Sequence, residues 1–567
     1  MTAPRLLDQW SPPDGAGAPI ACLATTFTFE ADFFAQDCLA RFLSLSTVKS
    51  EGDHISSVAA VLEEEERLSE TTICVLIDRS SPAEKRNLRW DVLPIHVPGG
   101  LLHAKVAVLL WERSARILLG SANLTSAGYR RQVETMLAID IDKGCGVARP
   151  VIEDLLRELR LLVALAPPAA AAARSRAMTT LDQVATRLEE LDLPRKGDRD
   201  LRLAVAPARP GTSPLSALAD VWHGPQPLRA TMLSPFWDDY APAPALEAVR
   251  GRLTGRPSTR RRLTLVAAVD PFSGNVQAPP SLQREGANIL AFDPPDEELR
   301  SLHAKVLLVE SDEWLAAMIG SSNATRSGFG LHPVQGHYEL NLWLGCPAKS
   351  ATAKHLRSLV PLGARIDVDD ERWDPVADDD EPTTPVLPMG FGTLAVNARA
   401  PASVRLDLDR NALPEAWKVS TPGGHVLLTA EDWRAGGSAD SMLIDLPDEV
   451  LPSYLIVQWI EDEAQVQATW TANVEDRSQL PLPAELAELP VDVLLAALAS
   501  TRPLPVALEA ELRRRAGTAG ERDSVELDPL RRFDESGLLF HRTRHLSLAL
   551  LRLQGRLSRP ANRLGRV

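Results

Sequence analysis

The sequence predicts a mixed α/β protein built on a duplicated unit, followed by a small β-rich segment and a helical C-terminal region. Three observations carry this expectation. Apolar, β-branched runs alternate with helix-period segments over the first 366 residues; the tetrapeptide HAKV occurs at His103-Ala104-Lys105-Val106 and again at His303-Ala304-Lys305-Val306; and short strand-like runs at near-regular spacing take over after about residue 390. At 567 residues the chain exceeds what one hydrophobic core supports, and an apolar content of 45% is ample for several.

The elements follow in order. APIACLATTFTF, TICVLIDR, VLPIHV, LLHAKVAVLLW, ARILLG and TMLAIDI read as strands, with EADFFAQDCLARFL and VIEDLLRELRLLVALA as helices, so residues 1–165 form a first half. Residues 166–225 read as an Ala-rich linker and helix. Residues 226–366 form a second half, with strands in RATMLSP, LTLVAAVD, NILAFD, HAKVLLVE, WLAAMIG and YELNLWLGC. An acidic linker, 367–389, precedes a β-sandwich- or barrel-like accessory domain, 390–480, and a helical, Arg-rich region, 481–567. The last two segments carry no motif that names a role, and accessory modules or modules that bind a protein partner are the default expectation.

Composition narrows the functional classes. A net charge of −15 argues against a protein that coats nucleic acid through a global basic field. It leaves room for a local basic site: GRLTGRPSTRRRLTL (251–265) and YRRQ (129–132) supply arginines near the two motifs, and Arg542 to Val567 holds seven arginines without a carboxylate. That tail suits phosphates, a partner or the protein's own acidic surface. There is no run of 18 apolar residues and no signal-peptide pattern in MTAPRLLDQWSPPDG, so a soluble, cytoplasmic protein without stable membrane association is expected. Cys22, Cys38, Cys74, Cys145 and Cys346 are scattered without a CxxC pair and read as small buried hydrophobes.

The repeat carries the chemistry. Counting from each histidine, Lys follows two residues on and a GSxN motif ends in Asn twenty residues on, at Asn123 and Asn323. Thr125, Gly128 and Tyr129 are then matched by Thr325, Gly328 and Phe329. With 9 lysines and 11 histidines, chance would give only about 0.2 HxK triplets in the chain, so coincidence is rejected. A duplicated fold preserves glycines and apolar positions, whereas these copies also share His, Lys, Ser, Asn and Thr, whose burial without partners is costly. Strand periodicity places His and Lys of HAKV on one face, with Ala and Val toward the core.

Two lysines and two asparagine amides, with Ser121 and Ser321 beside them as substrate-binding hydroxyls, suit a phosphoryl group whose charge grows in the transition state. Two imidazoles then divide the work: one attacks phosphorus and the other protonates the leaving oxygen and later activates water. No metal or other cofactor is required by this scheme. HExxH, a metal-spaced cluster and GxxxxGK are absent, and His541 and His545 fall in the Arg-rich tail, where solvation is the simpler reading. Each imidazole needs a partner to fix its tautomer. Glu134, eleven residues after Asn123, and Glu339, sixteen after Asn323, stand in corresponding places and are assigned that role.

These motifs resemble the HxK…GSxN motifs of the phospholipase D superfamily. The resemblance implies two pseudo-symmetric α/β/α halves forming one composite active site. The full family pattern has Asp five residues after the Lys, where this chain has Leu110 and Glu310, and the departure is similar to the HKN subclass of the tyrosyl-DNA phosphodiesterases. Carried over by position, His103 is the nucleophile that forms a phosphohistidine, His303 the general acid/base, and Lys105, Lys305, Asn123 and Asn323 hold the phosphate. The implied function is a metal-independent phosphodiesterase with DNA as the expected nucleic-acid substrate, a nuclease or an enzyme clearing DNA ends. A phospholipase or phosphatidyl transferase is the alternative, and a scaffold on a relic catalytic fold is the third reading.

Overall fold

The computed structural model describes residues 5–46, 54–85, 87–195, 200–294, 300–367, 372–375, 385–399, 401–447, 451–487, 489–500, 502, 504–521, 546–547, 550–551 and 554. His541, His545, every arginine of the C-terminal tail and most of the acidic run lie outside these residues.

Six strands form the first sheet: β1 (Pro19–Thr26), β2 (Thr72–Asp78), β3 (Asp91–Ile95), β4 (Lys105–Trp111), β5 (Ala115–Gly120) and β6 (Met136–Ile141), in the order β3-β2-β1-β4-β5-β6. β1, β2 and β3 are parallel, while β4, β5 and β6 add antiparallel. The second sheet contains β7 (Arg202–Ala208), β8 (Arg229–Leu233), β9 (Arg262–Ala267), β10 (Asn288–Phe292), β11 (Val306–Glu310), β12 (Trp314–Gly320), β13 (Glu339–Pro347) and β14 (Leu362–Arg365). Its order is β14-β10-β9-β8-β11-β12-β13-β7. The inner run β10-β9-β8-β11-β12-β13 repeats the order and directions of the first sheet, with β14 and β7 as added edges.

Both sheets are covered on both faces, which is why their strands read as continuous apolar runs. Alternate residues such as Leu23, Val106, Val108, Ile117, Val306, Leu308, Ala317 and Leu342 meet in one central core, and β5 lies against β12 and β13. The opposite face of the second sheet, through Met232, Leu265, Leu307, Met318 and Trp343, packs on Leu246 and Val249 of the helix Pro244–Arg250. The period of two thus sets apart two apolar layers.

The expected linker behaves differently. Its Ala-rich stretch is the helix Ala171–Glu190, which buries Ala173, Ala177, Leu181, Val184 and Leu188 in the central core alongside the helix Arg149–Ala164. These positions recur every three or four residues, and two of them are small enough for close approach. Residues 202–208 then supply strand β7, so the second sheet begins well before residue 226.

Seven further strands form a mixed sheet: β15 (Phe391–Asn397), β16 (Ser403–Leu408), β17 (Trp417–Ser420), β18 (Val426–Thr429), β19 (Ser441–Asp445), β20 (Tyr454–Glu461) and β21 (Ala464–Val474), ordered β18-β17-β20-β21-β15-β16-β19. Rather than standing apart, this sheet is bonded to the first one. The Asn473 side chain accepts from Val92 N at 2.9 Å and donates to Val92 O at 2.7 Å, occupying the edge of β3 as a neighbouring strand would. Asp91 on the same edge accepts from both Arg176 and Arg477.

The chain divides into two compact units: Met1–Arg41 with Thr72–Gln479, and Phe42–Thr71 with Leu480–Val567. In the second, Val58 of the helix His54–Glu70 shares an apolar cluster with Leu486, Val493, Ala497, Ala507 and Leu508. The expected first half, 1–165, is therefore interrupted by a segment whose apolar face is completed from the C-terminal region. Among the described residues no helix is long and apolar enough to cross a membrane.

Candidate functional site

Both HAKV motifs enter their sheets at the carboxyl end of the central parallel strand, Val106 opposite Thr25 of β1 and Val306 opposite Leu233 of β8. The histidines lie just before the strands, since β4 begins at Lys105 and β11 at Val306. Ala104, Val106, Ala304 and Val306 face the central core, while both histidines and both lysines are at most 3% exposed.

What the backbone does next decides the site. Leu101 O accepts from Tyr338 N at 2.8 Å, and His103 N donates to Tyr338 O at 3.0 Å, so the first motif is pinned to the residue before Glu339. Ser301 and Leu302 pair with Gln132 and Val133, and His303 N donates to Val133 O at 3.0 Å, so the second motif is pinned to the residue before Glu134. The carboxylates consequently cross over. His103 Nδ1 lies 2.7 and 2.8 Å from the two oxygens of Glu339, and His303 Nδ1 lies 2.6 Å from Glu134 Oε1. Each histidine thus takes its partner from the other sheet.

Lys105 and Lys305 each donate to the carbonyl oxygen of their own histidine at 2.8 Å. Asn123 Oδ1 lies 3.3 Å from Thr26 Oγ1 and Phe27 N, at the end of β1. The turn after each asparagine accounts for the N-x-T-x-x-G pattern. Thr125 Oγ1 accepts from Gly128 N at 3.1 Å and Thr325 Oγ1 from Gly328 N at 3.0 Å. A Cβ at Gly128 or Gly328 would sit 2.7 or 2.6 Å from the asparagine carbonyl oxygen, so no side chain fits there. Glu30 and Asp238 complete the likeness by accepting from Ser126 N and Arg326 N.

Electrostatics make the second pair specific. Burial lowers the His303 pKa below its usual value; Glu134 opposes this, and the Lys305 and Lys105 ammonium groups reinforce it. Burial alone would raise Glu134, but His303, Lys305 and the Ser121 hydroxyl together hold the carboxyl below its usual range. The two directions pull against each other, because only a charged imidazole would favour the carboxylate fully. Geometry decides: Lys305 Nζ lies 2.9 Å from His303 Nε2, and an ammonium has protons to give but no lone pair. Nε2 therefore accepts, Nδ1–H donates to an ionised Glu134, and the resting imidazole is neutral.

Ser121 and Ser321 are fully buried. Ser121 Oγ bonds Glu134 and accepts from Thr135 N at 3.0 Å, while Ser321 Oγ donates to Leu340 O at 3.4 Å and accepts from Leu340 N at 3.1 Å. Both hydroxyls, expected from the sequence to bind substrate, instead face the strands that carry the carboxylates, where buried protein partners take up their bonds. Leu110 is a core residue of β4, and Glu310 is bound to Arg357 at 2.7 Å, so neither place holds a site carboxylate. The 251–265 arginines, expected near the second motif, lie toward the other end of the sheet. Arg260 and Arg229 pair with Asp312 at 2.8 and 3.0 Å, and Arg229 lies opposite Glu310, four residues along β8 from the Leu233 end where the motif enters. Nearness in sequence to the second motif is undone by the direction of the strand. Arg130 is at the site end but pairs with Asp37 at 2.5 Å.

Several neighbours were silent in the sequence. Phe27 lies 5.7 Å from the His103 ring and Phe236 lies 6.1 Å from the His303 ring, walling the imidazoles with apolar surface. Asp78 accepts from Leu102 N at 2.6 Å, and Tyr338 and Glu158 join below. None lies in the repeated pattern, so only the fold brings them here.

No protein-family model and no curated protein sequence matches the chain. Among solved structures, one of a mutant yeast tyrosyl-DNA phosphodiesterase is similar at 12% identity and a TM-score of 0.41, over 66% of this chain and 95% of that one. Another, of the yeast enzyme itself, is similar at 12% identity and a TM-score of 0.41, over 64% of this chain and 94% of that one.

Proposed function

We propose that the protein is a metal-independent phosphodiesterase of the phospholipase D type that acts on DNA, as a nuclease or an end-processing enzyme. The observation that carries this reading is the crossed pair of His–Glu contacts, which makes two imidazoles with fixed tautomers out of two separate sheets. His103, whose Nδ1 is held by Glu339, presents Nε2 to phosphorus. The P–N bond forms, the bond to the leaving oxygen breaks, and a proton on His303 Nε2 passes to that oxygen.

The resting His303 is neutral at Nε2, so the acid is charged on arrival of substrate. A phosphate draws Lys305 toward itself, exposes Nε2, and adds negative charge that favours the imidazolium. Lys105, Lys305, Asn123 and Asn323 then hold the non-bridging oxygens. In the second step His303 Nε2 takes a proton from water, the water oxygen attacks phosphorus, and the P–N bond to His103 breaks. Ser121 and Ser321 act on the carboxylate strands. The preference for nucleic acid over lipid rests on the HKN pattern, with Leu110 and Glu310 where the full pattern has Asp.

A substrate panel tests this. Purified protein with EDTA is offered labelled DNA, a 3′-phosphotyrosyl oligonucleotide and phosphatidylcholine vesicles. Turnover of a DNA substrate is expected; turnover of lipid alone would replace this reading with the phospholipase alternative.

A further inference from the structure

The two half-sites hold their carboxylates by different means. Glu134 is gripped by the Ser121 hydroxyl, whereas the hydroxyl of the matching Ser321 goes to Leu340 O, and the Glu339 side chain bonds only His103 among the described residues. Strand pairing and the Ser321 hydroxyl hold the backbone after Glu339, and a separate anchor holds the residue before it. The residue before it, Tyr338, sends its hydroxyl to Glu158 Oε2 at 2.7 Å, on the helix Arg149–Ala164. Glu158 is 4% exposed and also meets Arg209 at 3.3 Å, and the Arg209 guanidinium lies 5.9 Å from the centre of the Tyr338 ring. In the other half the residue before Glu134 is Val133, which has no such hydroxyl.

Tyr338 is thus tied at both ends. Its backbone makes both bonds that pin Leu101 and His103, and its hydroxyl is anchored in a charged cluster outside the repeated motif. Burial and the neighbouring Glu158 carboxylate raise the phenol's pKa, so it stays protonated and donates.

We infer that Tyr338, Glu158 and Arg209 form a positioning device for the His103–Glu339 pair, serving nucleophilic attack while leaving the His303 half-site to Ser121. The inference rests on the phosphodiesterase reading above. None of the three residues touches the reacting atoms in this scheme; they act by holding the imidazole in line, where small displacements are costly.

The test uses the full chain and bis(p-nitrophenyl) phosphate in stopped flow. p-Nitrophenolate leaves without a proton, so the burst reads attack by His103 alone, and the slower steady state reads hydrolysis of the phosphohistidine. Tyr338→Phe and Glu158→Ala are expected to slow the burst by about tenfold or more at an unchanged ester concentration for half-maximal burst rate, with phosphohistidine hydrolysis nearly unaffected, measured well below each melting transition. Glu158→Gln, which keeps an acceptor for the phenol, is expected to recover much of the burst rate. An unchanged burst in Tyr338→Phe and Glu158→Ala overturns the inference. So does an equal fall in both phases, or in amplitude alone, which marks a purely structural role. In a wild type without a burst, attack limits turnover and the steady state carries the same comparison; a His103→Ala variant that keeps the wild-type rate overturns the phosphohistidine reading itself, and this inference with it.

Discussion

Replacing Glu339 by Gln removes one charge and little volume from the site, which makes it a clean test of the crossed pairing. In the wild type, Nδ1 of His103 lies 2.7 Å from the nearer carboxylate oxygen, and both side chains are at most 1% exposed. As His103 attacks, its ring becomes cationic, and at an effective dielectric of about 20 a unit charge pair at that separation is worth roughly 6 kcal/mol. The amide still accepts the Nδ1–H, so part of the interaction survives. A loss of roughly 4–5 kcal/mol in the attack step remains, or about 10³- to 10⁴-fold at 1.36 kcal/mol per decade. The p-nitrophenolate burst measures it directly, with urea unfolding of the same variant as the control for folding. A fall of less than tenfold in a folded variant would refute the claim that Glu339 stabilises the charge on His103.

Three further outcomes follow from the same geometry. Ser121→Ala frees Glu134 and is expected to slow turnover of a poor leaving group, which needs the His303 proton, about tenfold more than that of a p-nitrophenyl ester; equal effects on both would contradict its assignment to the His303 half. Gly328→Ala drives a Cβ to 2.6 Å from Asn323 O and should cost about 1–3 kcal/mol by urea unfolding while lowering activity, because the turn carrying Asn323 must shift. Lys85 is fully buried, and burial lowers its pKa from 10.5 to about 7, so the unfolded chain binds more protons between those values and stability should rise with pH there. Raised thiols at Cys22 and Cys74 act in the opposite sense above about pH 9, so the check is urea unfolding of wild type against Lys85→Met at pH 7 and 8.5. The wild type should gain more stability over that interval; equal gains would contradict the burial argument.

The strands were legible because both faces of each sheet are buried, so TICVLID and KVAVLLW announce themselves without alternation. The candidate residues were legible because His, Lys and Asn recur at fixed offsets. Their pairing was not. Nothing in the sequence says that Glu134 serves His303 and Glu339 serves His103; this follows from the backbone bridges at Val133 and Tyr338, which join segments 169 and 236 residues apart at the His–Glu contacts. Ser121 and Ser321 look equivalent in GSxN and differ only in where their hydroxyls find partners. The 251–265 arginines misled for a geometric reason, since Arg229 and Leu233 lie at opposite ends of one strand. The Ala-rich segment read as a linker because alanine is compatible with exposure, while its spacing places Ala173 and Ala177 in the core.

The central claim is that two imidazoles perform consecutive, different steps on one phosphoryl group. Its most direct measurement is intact-protein and peptide mass spectrometry of His303→Asn after incubation with a 3′-phosphotyrosyl oligonucleotide. The account predicts an accumulated phosphoramidate adduct on His103, absent from the double variant His103→Ala/His303→Asn, because attack survives while water activation fails. Turnover without an adduct, or an adduct on any residue other than His103, would contradict it.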